Sequence, residues 1–109
     1  MQINWSEQSR ADLREIMSYV GENFGRRKAE EVLADIRSRV DLLKDFPMLG
    51  RVFVKDTELG ITYRSITAKL NKIVYTIECD TITIVAVWQN RRDISRLNKQ
   101  LSLSESSIM

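Results

Sequence analysis

The 109-residue sequence has no histidine and only one cysteine, Cys79. Zinc sites with nitrogen or sulfur ligands are therefore excluded, as are Ser-His and Cys-His catalytic pairs and histidine as a general base. A lone cysteine forms no internal disulfide, which fits a reducing compartment such as the cytoplasm. An enzyme built from this chain would have to use Lys, Arg, Tyr, Asp, Glu or backbone groups. We expect neither a metal nor a cofactor.

Long apolar runs are also missing. The longest spans residues 84–88, far below the ~20 residues that a membrane-spanning helix needs. No basic leader followed by an apolar stretch begins the chain, so we expect a cytoplasmic protein without a membrane partner. With 43% apolar and 29% charged residues, the composition fits one globular domain. We place that domain at residues 1–101 and a flexible, serine-rich tail at residues 102–109.

Charge is modest overall and unevenly distributed. The formal net charge is +2. Residues 1–50 hold eight Lys and Arg against nine Asp and Glu, whereas residues 51–109 hold nine against six. The basic excess lies in the second half, where it would meet nucleic acid or an acidic protein, or would simply form a solvated surface.

The first half has the apolar spacing of two amphipathic helices. The first occupies residues 6–24, with Ser6 as its N-cap and Gly25 closing it with a left-handed backbone. The second ends before Pro47, because the residue before a proline avoids helical backbone angles. The apolar stripes consist of Leu13, Ile16, Met17, Val20 and Phe24, then Ala29, Val32, Leu33, Ile36, Val40 and Leu43. The short join predicts an antiparallel helical hairpin.

The second half changes to the period of β-strands. Residues 61–67, 72–78 and 81–88 are rich in β-branched and aromatic residues, and a two-residue turn separates the last two segments. Residues 51–55 are compatible with a short edge strand. After Asp93, helical spacing of Ile94, Leu97 and Leu101 predicts a short tail helix. The pattern predicts an α+β fold: the helical hairpin packs on a twisted three- or four-stranded antiparallel sheet, with a short C-terminal helix.

Basic residues of the second half form the first candidate site. Arg64 lies within a predicted strand, Lys72 begins the next, and Arg91 and Arg92 follow the last. In a simple meander they would gather on the sheet face that the helices leave open, a natural site for phosphates or carboxylates. The plainer alternatives are edge charges that protect the sheet from other strands, and for Arg92 an ion pair with Asp93.

Several segments, in their order and spacing, match a known pattern. They are Trp5-Ser6, residues 11–16, Phe46-Pro47-Met48-Leu49-Gly50-Arg51, Tyr63-Arg64-Ser65-Ile66, Lys72-Ile73-Val74-Tyr75 and Trp88-Gln89-Asn90-Arg91-Arg92-Asp93. Over roughly residues 3–97 the chain resembles the RelE/ParE superfamily of type II toxin–antitoxin toxins. No single segment is diagnostic by itself.

The resemblance implies two alternative activities. ParE-like members inhibit DNA gyrase by binding it, whereas RelE-like members cut messenger RNA positioned in the ribosome. Metal-independent RNA cleavage needs a base, an acid and cations on the developing phosphorane. Arg64, Lys72 and Arg91 would supply the cations, but the histidine or tyrosine that such members generally place near the last strand is missing, since the last tyrosine is Tyr75. The base or acid could still be Lys69, Lys72, Asp93 or Glu78, although none of them has the expected placement. The ParE-like reading is therefore favoured over the RelE-like reading.

The resemblance also implies a partner. A small, partly disordered antitoxin with an acidic amphipathic segment would wrap the toxin in a hetero-oligomer and fold on binding. The residues that we expect to bind target or antitoxin are Trp88, Arg91, Arg92, Asp93, Ile94, Leu97 and Leu101. A third reading, a non-toxic RNA- or protein-binding module, has weaker support because the chain lacks the aromatic stacking signature of common single-strand binders.

Overall fold

The computed structural model describes residues 1–89. Two helices and five strands follow one another along this part of the chain. Their bounds are β1 (Gln2–Trp5), α1 (Glu7–Phe24), α2 (Arg26–Asp45), β2 (Arg51–Asp56), β3 (Ile61–Ala68), β4 (Asn71–Glu78) and β5 (Thr81–Gln89). The predicted α+β class, helical hairpin and three main strands are confirmed. The predicted tail helix lies outside the described residues.

The helical hairpin forms as its apolar spacing predicts. Ser6 caps α1, and its hydroxyl accepts a hydrogen bond from the Ser9 N–H at 3.0 Å. Gly25 joins the helices with a φ of +92°, a conformation that side-chain-bearing residues rarely adopt. Both stripes turn inward, and Ile36 and Leu43 are completely buried. The hairpin therefore presents one apolar surface to the sheet.

The sheet has five strands in the order β1-β5-β4-β3-β2, not the three or four that we predicted. Strands β2 to β5 form an antiparallel meander, and β1 adds to β5 in parallel, with Ile3 opposite Ile82. The sheet is therefore mixed rather than purely antiparallel. Four residues are too few to show a strand period, so β1 is specified by its pairing with β5.

One face of the sheet packs against the helices, and no helix or strand of residues 1–89 covers the other, which we call the open face. Side chains of Ile66, Ile73, Tyr75, Ile84 and Val87 point to the helix-covered face and join the hydrophobic core. Residues on the same face oppose one another across the strands, and alternate residues point to the open face. A residue's position in the register therefore decides which face it occupies.

Helix α1 also covers an edge of β5. Pairing with β1 ends at Ile84, so no strand formed by residues 1–89 lies beside the outer backbone edge of β5 beyond that point. The Ser6 hydroxyl donates to the Val85 carbonyl at 3.0 Å, and the Asp12 carboxylate accepts from the Val87 N–H at 3.0 Å. Two side chains of the helical layer thus replace the missing strand.

Replacing Asp12 by Ala should destabilise the fold by about 2 kcal/mol, because the buried Val87 N–H loses its acceptor. Urea unfolding measures the change. Asp12→Asn keeps an acceptor oxygen and should recover part of the loss, whereas Gln8→Ala removes only the exposed Gln8–Asp12 bond and should cost little. Equal stability of Asp12→Ala and the unsubstituted chain would contradict this role.

Candidate functional site

Arg64 lies on the helix-covered face, opposite Tyr75 in the β3–β4 ladder. Its Nη1 donates a hydrogen bond of 2.9 Å to the Gly50 carbonyl. It shares this face with Ile66 and Ala68 of the core, because residues two apart in a strand point the same way. Arg64 therefore helps to hold the loop before β2.

Tyr75 of the neighbouring strand β4 holds the same loop before β2. Its buried hydroxyl accepts a hydrogen bond from the Gly50 N–H at 2.8 Å and donates one to the Pro47 carbonyl at 2.7 Å. Burial raises the pKa of Tyr75 above its ordinary value of 10.0, although the Gly50 N–H and the nearby charge of Arg64 act in the opposite direction. The phenol is thus neutral near pH 7 and serves as a structural link between β4 and the α2–β2 connection.

Lys72 occupies the open face, directly opposite Trp88 of β5. Its ammonium lies 4.6 Å from the centre of the Phe53 ring, a cation–π contact. The Phe53 and Trp88 rings meet edge to face, with centroids 5.5 Å apart. Trp88 remains 47% exposed and Phe53 37% exposed. We call Phe53, Lys72 and Trp88 the open-face cluster.

The prediction that the basic residues gather on the open face is wrong for Arg64. Lys72 pairs with Thr67 and Arg64 with Tyr75, so the two cations are offset by an odd number of ladder positions and lie on opposite faces. The prediction depended on strand register, and alternate positions reverse direction. Arg91, Arg92, Asp93, Ile94, Leu97 and Leu101 lie outside the described residues. Of the residues predicted to bind target or antitoxin, the structure therefore places Trp88, which is exposed.

Phe53 is a candidate residue that the sequence analysis missed. Strand β2 ends the sheet, and its apolar Val52, Phe53 and Val54 are all exposed. A β-bulge between Val52 and Val54 interrupts pairing at Phe53. The sequence feature that could have identified Phe53 is the run of three apolar residues between Arg51 and Lys55. In such a run, apolar side chains point to both faces of the strand.

A cleft of about 770 Å³ opens between β3 and β4. Residues 61–64 form one wall, residues 76–78 with Val85 form the other, and Met48 and Leu59 stand at the rim. The β3–β4 ladder ends at Arg64 and Tyr75, although β3 continues to Ile61 and β4 to Glu78. We call this opening the β3–β4 cleft.

The family model described as the ParE toxin of the type II toxin-antitoxin system, parDE, matches residues 3–94. The chain belongs to the ParE toxin family. A solved chain described as the chromosomal ParDE TA system from P. aeruginosa is 20% identical with a TM-score of 0.68, and the alignment covers 82% of this chain and 95% of that one. At this level of sequence identity, the structural similarity shows that the two chains share a fold. None of the curated proteins matches the sequence.

The described part of this ParE-family chain exposes apolar side chains that could bind a partner. Within residues 1–89, no three or more acidic, cysteine or histidine side chains are grouped to hold a metal ion. In the same range, neither helix is apolar enough over a sufficient length to cross a membrane. The exposed apolar residues of this part are Met1, Leu42, Phe46, Met48, Leu49, Val52, Phe53, Val54, Leu59 and Trp88. Most belong to β2 and its flanking loops, which identifies that end of the sheet as the candidate protein-binding region.

Proposed function

We propose that this ParE-family toxin arrests growth by inhibiting DNA gyrase in the cytoplasm and that a cognate antitoxin neutralises it. The observation that carries the proposal is the separation of Arg64 and Lys72 on opposite faces of the sheet. A gyrase inhibitor needs a folded scaffold with a protein-binding surface and no chemistry of its own. The exposed apolar residues around β2 supply such a surface.

The alternative, a RelE-like ribosome-dependent endonuclease, has less support from the same residues. Cleavage of RNA requires several cations around one phosphate, together with a base and an acid. Arg64 is hydrogen-bonded to the Gly50 carbonyl, and the last tyrosine, Tyr75, uses its hydroxyl to hold Gly50 and Pro47. Both side chains lie on the helix-covered face, so neither can act together with Lys72 on a substrate at the open face.

The antitoxin is the proposed partner in a hetero-oligomer. Exposed apolar side chains on β2 stand beside Arg51 and Lys55, and Lys72 lies on the adjoining open face. Such a surface suits an amphipathic segment with acidic residues, since apolar burial supplies affinity and opposite charge supplies orientation. Phe53 and Trp88 are the aromatic side chains suited to act as anchors.

Induced expression in bacteria should arrest growth, with filamentous cells and a DNA-damage response, and the purified toxin should inhibit gyrase supercoiling of plasmid DNA. Removing residues 94–109 should abolish the arrest, whereas Arg37→Ala on the exposed side of α2 should leave it unchanged. Co-expression of the polypeptide from the adjacent reading frame should restore growth.

Three other outcomes would contradict the proposal in different ways. Rapid loss of translation with cut transcripts would favour the endonuclease. Normal growth of cells that contain the intact, folded chain would favour a non-toxic binding module. Full toxicity after removal of residues 94–109 would exclude the tail from the mechanism.

A further inference from the structure

The β3–β4 cleft exposes backbone hydrogen-bonding groups in the interior of a sheet. A two-residue turn, Lys69–Leu70, joins β3 to β4, so its flanking residues Ala68 and Asn71 form a hydrogen-bonded pair. Hydrogen-bonded pairs recur at every second residue of an antiparallel ladder. Arg64 and Tyr75 are the last such pair in the observed register.

Continuation of that register would pair Thr62 with Ile77. The ladder stops one step before this pair, and both residues line the cleft. The outer side of β3 is paired with β2 here, with Thr62 opposite Lys55, while β4 is paired with β5, with Ile77 opposite Ile82. The N–H and C=O groups of Thr62 and Ile77 therefore point into the cleft, away from both of these neighbouring strands.

We propose that the β3–β4 cleft receives an extended segment of the antitoxin, which hydrogen-bonds to the backbone of Thr62 and Ile77. This inference rests on the proposed function, because it assigns a place on the toxin to the neutralising partner. Facing strand edges require alternating donors and acceptors, and an extended polypeptide supplies them at the matching spacing. The volume of about 770 Å³ lies within the range of ligand-binding pockets, ~300–1,000 Å³.

Side chains around the cleft specify the chemistry of this segment. Ile61, Ile77 and Val85 provide apolar walls. Met48 and Leu59 at the rim are 66% and 69% exposed, so they are available to cover aliphatic side chains of the partner. The inserted segment should therefore carry aliphatic residues at alternate positions, since side chains of a strand alternate between its two faces.

Charge sets the direction of the segment. Arg64 stands at the closed end of the cleft, and none of the ion pairs formed within residues 1–89 involves it. One of its nitrogens is bonded to Gly50, which leaves further guanidinium donors for a carboxylate. Glu78 lies near the opposite end, where β4 terminates. An acidic residue of the antitoxin should thus lie beside Arg64 and not beside Glu78.

Local contacts shape the outer end of the β2–β3 hairpin, which borders the cleft. Gly60 has a φ of +68°, and the Asp56 carboxylate accepts a hydrogen bond from the Leu59 N–H at 3.0 Å. In β5, Val85 is the additional residue at a bulge, since Val74 pairs with Ala86 and Tyr75 with Ile84. Bulges increase local twist, and this one lies at the level where the β3–β4 ladder ends.

Amide hydrogen exchange of the toxin, alone and in complex with the polypeptide from the adjacent reading frame, tests the inference. The Thr62 and Ile77 amides should exchange rapidly in the free chain and become protected at least tenfold in the complex. Thr62→Pro removes the N–H that faces the cleft while leaving the β2 ladder intact, and it should weaken binding about tenfold. The matched control Thr62→Ala keeps that N–H and should bind like the unsubstituted chain.

Each other result has a distinct meaning. A stable complex without protection at Thr62 and Ile77 would overturn the cleft assignment and leave the proposed function standing. Failure of the two polypeptides to associate would overturn both. Protection that appears in the toxin alone and grows with its concentration would show that a second copy occupies the cleft, which also overturns the assignment. If Thr62→Pro fails to fold, protection of the Thr62 and Ile77 amides in the unsubstituted complex decides whether the antitoxin occupies the cleft.

Discussion

Substituting Gly50 by Ala should destabilise the protein by about 3 kcal/mol or more, measured as the free energy of unfolding in urea. A Cβ at this position would lie 2.6 Å from the Tyr75 hydroxyl oxygen and 2.8 Å from the Ser65 carbonyl oxygen. The second atom belongs to the backbone of β3, so the clash cannot be relieved by a side-chain rotation. The loop must shift, and its bonds to Tyr75 and Arg64 would be lost.

Gly21→Ala is the matched control for this substitution. Gly21 lies within α1, and a Cβ there would meet only the Ala29 Cβ, at the ordinary contact distance of 4.0 Å. Because glycine weakens helix interiors relative to alanine, Gly21→Ala should stabilise the protein by roughly 0.5–1 kcal/mol. The same chemical change thus has opposite signs at the two positions. Similar stabilities of the two variants would refute the close approach at Gly50.

Tyr75→Phe should cost about 3 kcal/mol of unfolding free energy with little change in shape. The variant keeps the ring in the core but leaves the Gly50 N–H without its acceptor and the Pro47 carbonyl without its donor. A buried backbone group without a partner costs roughly 1–3 kcal/mol. Tyr63→Phe is the control, because Tyr63 is only half-buried and forms no hydrogen bond in the described part of the chain that would be lost.

The contribution of Tyr75 to the free energy of unfolding should decrease as the pH rises. Since burial raises the pKa of Tyr75 in the folded protein, the unfolded chain loses this proton first as the pH rises. The stabilisation is fully present below about pH 10, the ordinary tyrosine pKa, and decreases above it until the folded-state pKa is passed. The stability difference between the unsubstituted chain and Tyr75→Phe should therefore shrink in alkaline solution. A difference that grows above about pH 10 would contradict the assignment.

Local sequence patterns were sufficient to predict the helices and the three main strands. The three- and four-residue spacing of Ile16, Val20, Ile36 and Leu43 places these side chains on one side of each helix, and all four are buried. The two-residue turn at residues 79–80 predicts the β4–β5 hairpin, since so short a connection permits only antiparallel neighbours. Trp88, selected at a strand end as a binding residue, is exposed beside Phe53.

Other features could not be predicted from the sequence, because they depend on contacts between segments that are distant along the chain. Strand β1 forms by pairing with residues about 80 positions away, and its four residues show no independent period. The bonds of Arg64 and Tyr75 to Gly50 require β3, β4 and the α2–β2 loop to meet in three dimensions. No spacing in the sequence distinguishes these buried links from free cations and hydroxyls in a groove.

The sequence by itself determined the two helices, the three main strands, the α+β class and the absence of histidine chemistry, because helix period, strand period and composition are local properties of the chain. Only the tertiary structure decided that Arg64 and Lys72 occupy opposite faces and that the β3–β4 ladder stops at Arg64 and Tyr75. The opposite faces follow from the β3–β4 register, in which a shift of one residue reverses the direction of a side chain, and the end of that ladder coincides with the bulge in β5.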